Sequence, residues 1–236
     1  MDDFIFIEAL EAQMQAQGDK AALIFEGKET SYAALSAMSN KVAHALINEG
    51  VSPHSRVAFM GANSAIYFEL LLGTQKARAA LVGVNSRLAP PEVAYVVNDA
   101  QAEMIFVDRN YAPLIEKIID DCPQVRRVIA MDFDHADWTG FADWRDAQSD
   151  AHPGADCHPD DDIIQLYTSG TTGHPKGVQL TNTKYGLRVA SGLGRLGRMG
   201  QPRPCAVMYA VISYRRRKCR PHRAARWCNG YGAASR

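Results

Sequence analysis

The stretch "LYTSGTTGHPKGVQL", residues 166–180, concentrates residues able to do chemistry. Ten positions within it hold three glycines, four Thr or Ser hydroxyls and one lysine, between two apolar runs. Gly170, Gly173 and Gly177 let backbone N–H groups approach an anion with no Cβ in the way. Successive N–H groups in such a turn form an anion-binding nest. Thr168, Ser169, Thr171 and Thr172 add hydroxyl donors, Lys176 adds a compact charge suited to phosphate, and Pro175 stiffens the exit. A triphosphate is the natural ligand for this set. A Gly/Thr-rich hairpin without a ligand is the plainer alternative. The spacing differs from that of a P-loop, in which a glycine would stand at 175 and Ser or Thr after the lysine. Here those positions are Pro175 and Gly177.

Elements that could present such a loop are legible around it. Residues 7–17 form a short helix, and "AALIFEGKETSY" reads as two strands about a turn at Glu26–Gly27–Lys28. "SYAALSAMSNKVAHALINEG" places Leu35, Met38, Val42, Ala45 and Leu46 at helical spacing, with Gly50 as a stop. "RVAFMGANS" is an apolar strand entering a turn, with Ser64 placed to cap the helix "AIYFELLLGTQKARAA". "LVGVN" is a strand, and Pro90–Pro91 opens the helix "EVAYVVNDA". "EMIFVD" and "VRRVIAMD" are strands on either side of a helix "YAPLIEKIIDDC". Residues 132–162, rich in Asp, His, Pro and Gly, read as a surface excursion. "DIIQLYTSG" is a strand feeding the loop. Short apolar runs alternating with amphipathic helices predict an α/β fold of layered, mostly parallel sheet with flanking helices.

Composition divides the chain. Hydrophobic residues make up 47%, enough for a core, and no apolar run reaches the roughly 18 residues of a membrane span. The acidic N-terminus "MDDFIFIEALEAQ" does not read as a signal peptide, so a cytoplasmic setting is expected. The net charge of zero hides a split: all 26 acidic residues lie within 1–162, whereas 13 Lys and Arg fall from 184 onward. Cys122 and Cys157 lack metal-ligand spacing and are expected as free thiols. Cys205, Cys219 and Cys228 fall in the last 36 residues.

"YTSGTTGHPKGV" resembles the signature phosphate loop of the AMP-forming adenylating enzymes. That superfamily includes acyl-CoA synthetases, beetle luciferases and the adenylation domains of peptide synthetases. "ETSYAALSAMSNKVAHAL" is similar to the family's early strand-helix motif. "VAFMGANSAIYFELLLGTQKARAALVGVNSRLAPPEVAYVVNDAQAEMIFVD" is similar to its first nucleotide-fold segment. The resemblance covers about residues 4–200, with Arg78 standing where the family usually has glycine. It implies a ligase, most simply an acyl-CoA synthetase. A carboxylic acid would attack the α-phosphorus of ATP, with Mg²⁺, and coenzyme A would then displace AMP. Thr168, Ser169, Gly170, Thr171, Thr172, Gly173 and Lys176 would hold the β- and γ-phosphates. No catalytic residue is assigned, because the family's adenine strand, ribose Asp and C-terminal Lys find no counterpart in these 236 residues. The chain alone is expected to be inactive.

Two domains are expected: 1–200, part of the large AMP-binding domain, and 201–236, a basic tail. "YRRRKCRPHRAARWC" has the charge and aromatic surface of a nucleic-acid or anionic-surface arm. An out-of-frame tail without a fold is the reading preferred. Written as GTT ATT TCA TAT CGG, Val211–Arg215 read one base later gives Leu-Phe-His-Ile-Gly. With permitted codons the shifted text continues as "LFHIGGGNVGLTALLDGATVMVRRA". That text resembles the family's acyl-pocket segment, and places a slip near residues 198–205.

Overall fold

A computed structural model describes residues 4–168 and 174–186. Helix α1 (Phe6–Gln17) leads into a hairpin of β1 (Ala21–Phe25) and β2 (Lys28–Ser31). Glu26 and Gly27 both take positive φ, +50° and +81°, the backbone that a two-residue hairpin turn demands. Helix α2 (Tyr32–Asn48) starts where the Ser31 hydroxyl accepts the Ala34 N–H. It stops at Gly50, whose φ of +77° lets the N–H groups of Gly50 and Val51 close on the carbonyls of Ile47 and Leu46.

Among the described residues the main sheet has seven strands: β3 (Arg56–Met60), β4 (Ala80–Gly83), β5 (Ala102–Val107), β6 (Arg127–Ala130), β7 (Thr139–Gly140), β8 (Asp162–Thr168) and β9 (Lys176–Thr181). Their spatial order is β7-β6-β5-β3-β4-β8-β9, parallel throughout except for the antiparallel β8–β9 pair. The connecting helices are α3 (Ala65–Lys76), α4 (Pro90–Asp99), α5 (Ala112–Ile118), extended by a 3-10 turn at Ile119–Asp121, and α6 (Phe141–Asp146).

Alternation along each strand sorts side chains into two layers. Val57, Phe59, Leu81, Met104, Phe106 and Ile129 pack with α1, α2, α3 and α6. Ala58, Met60, Val82, Ile105, Val107 and Val128 pack with α4 and α5. Both faces of the central strands are covered. That is why "RVAFM" and "AEMIFV" read as continuous apolar runs rather than alternating ones. The α/β architecture is therefore the expected one.

Two local expectations need amendment. Ser64 occupies the N-cap of α3, but its side chain makes no capping bond. The excursion over 132–162 contains β7 and α6, anchored by Phe141 and Trp144, 2% and 6% exposed. A six-residue helix with two buried aromatics among Asp and Arg is too short for its period to stand out in sequence.

Helices α2 and α3 cross at Gly73. A Cβ there would meet Val42 Cγ1, stand 2.6 Å from Val42 Cβ and lie 3.1 Å from the Ser39 carbonyl oxygen. Val42 is fully buried and stiff about χ1, so the helix backbones would have to separate. Overpacking of this kind costs up to about 3 kcal/mol, and alanine's better helix propensity returns about 1 kcal/mol. Gly73→Ala is expected to lose about 2 kcal/mol of stability in urea denaturation. An unchanged midpoint would refute the close crossing.

Candidate functional site

The expected phosphate loop joins β8 to β9. Thr168 and Lys176 are direct cross-strand partners, so the last residue of β8 and the first of β9 close the base of the hairpin. Thr168 is partly buried and Lys176 is exposed. Ser169, Gly170, Thr171, Thr172 and Gly173 lie outside the described residues.

Strand β8 runs parallel to β4, and β4 to β3, so the loop leaves the carboxyl edge of the sheet. At that edge the chain reverses its winding. From β3 it passes through α3 to β4 on one side, and from β4 through α4 back to β5 on the other. The two helices lie on opposite faces, the switch-point arrangement beside whose strand ends open α/β sheets bind ligands.

The turn after β3 is braced from β5. Asp108 Oδ2 accepts the Ala62 N–H at 2.7 Å and Oδ1 accepts the Asn110 N–H at 2.9 Å. Burial raises the Asp108 pKa, and these N–H groups only partly oppose it. A Cβ on Gly61 would come within 2.6 Å of Met131 Cε and 3.2 Å of Asp108 Oδ2, so the turn fits only a glycine without rearrangement. Asp108 was not singled out from sequence. Its signal is a lone acidic residue at the carboxyl end of an apolar strand.

The hairpin's own flanks meet α4. The Tyr167 hydroxyl donates to Asp99 Oδ2 at 2.5 Å and accepts from Gln165 Nε2 at 3.1 Å. His174 stacks on Tyr95, with ring centroids 4.8 Å apart and planes at 26°. Gly177 pairs with Tyr167 across the strands, and a Cβ there would lie 2.6 Å from Gln165 Nε2 and 3.1 Å from Tyr167 Cζ. The glycine after Lys176 thus leaves room for the tyrosine ring.

The sequence profile of the AMP-binding enzyme family matches residues 10–213. The chain belongs to the AMP-binding enzyme family. It is 37% identical over 165 residues to the fatty acid–[acyl-carrier-protein] ligase ScoC of Streptomyces coeruleorubidus, covering 70% of this chain and 30% of that protein. It is 35% identical over 156 residues to the long-chain-fatty-acid–CoA ligase FadD13 of Mycobacterium tuberculosis, covering 64% and 29%. The fold matches the crystal structure of the anthranilate CoA ligase AuaEII in complex with anthranoyl-AMP. The TM-score is 0.75 at 28% identity, over 80% of this chain and 36% of that one. The chain spans about 30% of the length of these curated relatives, which are acid-activating ligases. Among the described residues no helix is long and apolar enough to cross a membrane.

Proposed function

We propose that this AMP-binding chain carries the triphosphate cradle of a fatty-acid-activating ligase. The observation that carries the reading is the Thr168–Lys176 pair, which closes a Gly/Thr loop at the carboxyl edge of the parallel sheet beside its switch point. Thr168, Ser169, Gly170, Thr171, Thr172, Gly173 and Lys176 take the β- and γ-phosphates of ATP. Mg²⁺, where bound with the phosphates, would supply charge neutralisation, and the hard hydroxyl oxygen of Thr168 is chemically suited to hold it. The carboxylate of the acid is itself the nucleophile, so the loop needs no general base. It draws charge onto the departing pyrophosphate, where fixed donors are most effective.

The whole protein then makes an acyl-adenylate and passes the acyl group to the thiol of coenzyme A. A carrier-protein thiol is the second acceptor, favoured by the 37% identity to a ligase of that type. A medium or long-chain fatty acid is the acid proposed, in line with the named substrates of the relatives. A cytoplasmic setting belongs to the same reading. So does an out-of-frame origin for the basic tail, which lies outside the described residues. The family match in the given frame reaches residue 213, beyond the 198–205 stretch expected for the slip.

Carboxylate-dependent ATP–pyrophosphate exchange tests the proposal. The 236-residue chain is expected to show none above background. A version continued in the shifted frame through the family's later motifs is expected to exchange with a long-chain fatty acid. Lys176→Ala in that version should lower exchange about 100-fold, the usual cost of one charge-stabilising donor. Thioester formation from preformed adenylate should be nearly spared, because the phosphates of the loop have already left. Equal loss in both steps would count against a phosphate role.

A further inference from the structure

Tyr95 and Asp99 stand four residues apart and so share one face of α4. Each reaches a different flank of the loop-bearing hairpin. Tyr95 stacks on His174, which directly follows residues 169–173. Asp99 takes the hydroxyl of Tyr167, which directly precedes Thr168. The far end of this bridge is also held: Gln165 Oε1 accepts from Arg56 Nε at 2.8 Å, which orients Gln165 Nε2 toward the Tyr167 oxygen. Gly177, lacking a Cβ, lets the ring lie over β9.

The flank needs such ties. Among the described residues strand β9 ends the sheet, and Lys176, Gly177, Val178 and Gln179 are all exposed. Beyond its ladder to β8, little else holds the start of β9 in place among the described residues. Anion binding by successive N–H groups depends on backbone placement to within about 0.5 Å. Two strand ends tied to one rigid helical face meet that demand, whereas two free ends would spend binding energy on ordering.

We propose that Tyr95 and Asp99 are positioning residues, which hold the two flanks of the loop at the spacing that a polyphosphate requires. The proposal rests on the reading of residues 168–176 as a phosphate cradle. Burial and the Asp99 carboxylate both push the Tyr167 hydroxyl well above the ordinary tyrosine range, so it remains a donor across the whole working pH range. The Tyr167–Asp99 bond lies near solvent, so it contributes little to global stability and acts on local geometry.

Titration of magnesium tripolyphosphate into the full 236-residue chain, followed by calorimetry and by phosphorus line width, provides the test. Tyr167→Phe keeps the ring and removes the donor, and Tyr95→Ala removes the stack. Each should weaken binding about fivefold, the value of one modest interaction. Tyr95→Phe retains the stack and should stay within about twofold of the parent. Thermal midpoints of the two Phe variants should barely move. Unchanged affinity in Tyr167→Phe and Tyr95→Ala would overturn the proposal, as would equal losses in Tyr95→Phe and Tyr95→Ala. Loss of affinity that only tracks a falling thermal midpoint would overturn it too, by reducing the contacts to general stability. Lys176→Ala reports on the cradle itself: if the parent fails to bind, or Lys176→Ala binds as well as the parent, the cradle reading falls and the positioning role with it.

Discussion

Lys76→Ala is expected to cost about 3–5 kcal/mol of stability, enough to unfold a marginal domain. Lys76 closes α3 with its side chain only 1% exposed. Its ammonium lies 3.0 Å from Glu11 Oε1 on α1 and donates to Asn40 Oδ1 on α2 at 2.6 Å. The Ser36 hydroxyl and carbonyl stand at 3.4 and 3.5 Å. One cation thus ties three helices, and truncation leaves Glu11 and Asn40 facing a cavity. Lys76→Met fills the volume of the stem. Glu11 retains 18% exposure and its contact with His152, so this variant should lose only about 2 kcal/mol.

Burial lowers the Lys76 pKa from the ordinary 10.5, and Glu11 only partly restores it. Between the lowered value and 10.5 the unfolded chain holds this proton and the folded chain does not. Lys76 therefore makes stability rise with pH across that window. Lys76→Met should abolish that contribution. Urea denaturation from pH 7 to 10 compares the two slopes, and identical slopes would refute the assignment.

A second large effect is expected at Arg78. This residue has a φ of +56° just past the end of α3. There the N–H groups of Arg78 and Ala79 close on the carbonyls of Gln75 and Thr74, a turn that normally takes glycine. The side chain compensates for the backbone. Its Nε and Nη2 donate to the two carboxylate oxygens of Asp161 at 2.9 and 3.0 Å, and Asp161 has a 4% exposed side chain. Arg78→Gly relieves about 1 kcal/mol of left-handed strain but strands a buried carboxylate, at about 3 kcal/mol. A net loss of about 2 kcal/mol is expected, and about 3 kcal/mol for Arg78→Ala, which keeps the strain.

Acid should narrow the gap between parent and Arg78→Gly. Burial alone would raise the Asp161 pKa, but the Arg78 fork and the His158 N–H outweigh it and hold the carboxyl below 3.8. The stability it contributes is present above 3.8 and is lost as pH falls through the folded value. Without Arg78, burial prevails and the carboxyl takes up its proton earlier, which relieves the variant first. Denaturation midpoints measured from pH 7 down to about 4 should converge. A constant gap would show that Asp161 is not the group left unpaired.

Local chemistry was legible in the sequence wherever it is carried by neighbours along the chain. The Glu26–Gly27 turn and the Gly50 stop depend on dihedrals and bonds within a few residues. The strands "RVAFM" and "AEMIFV" were legible because two-sided burial leaves an unbroken apolar run. The strand that ends at Thr168 was legible because an apolar run stops at a cluster of glycines and hydroxyls. Pairings between distant segments were not. Arg78 read only as a departure from the family's usual glycine until the fold brought Asp161, 83 residues on, against it. Tyr95 and Asp99 looked like ordinary helix residues until β8 and β9 came to lie beside α4. The order β3-β4-β8-β9, which sets Thr168 and Lys176 beside the switch point, is a choice of strand neighbours. Strand pairing uses backbone groups that every residue shares, so tertiary packing alone decided it.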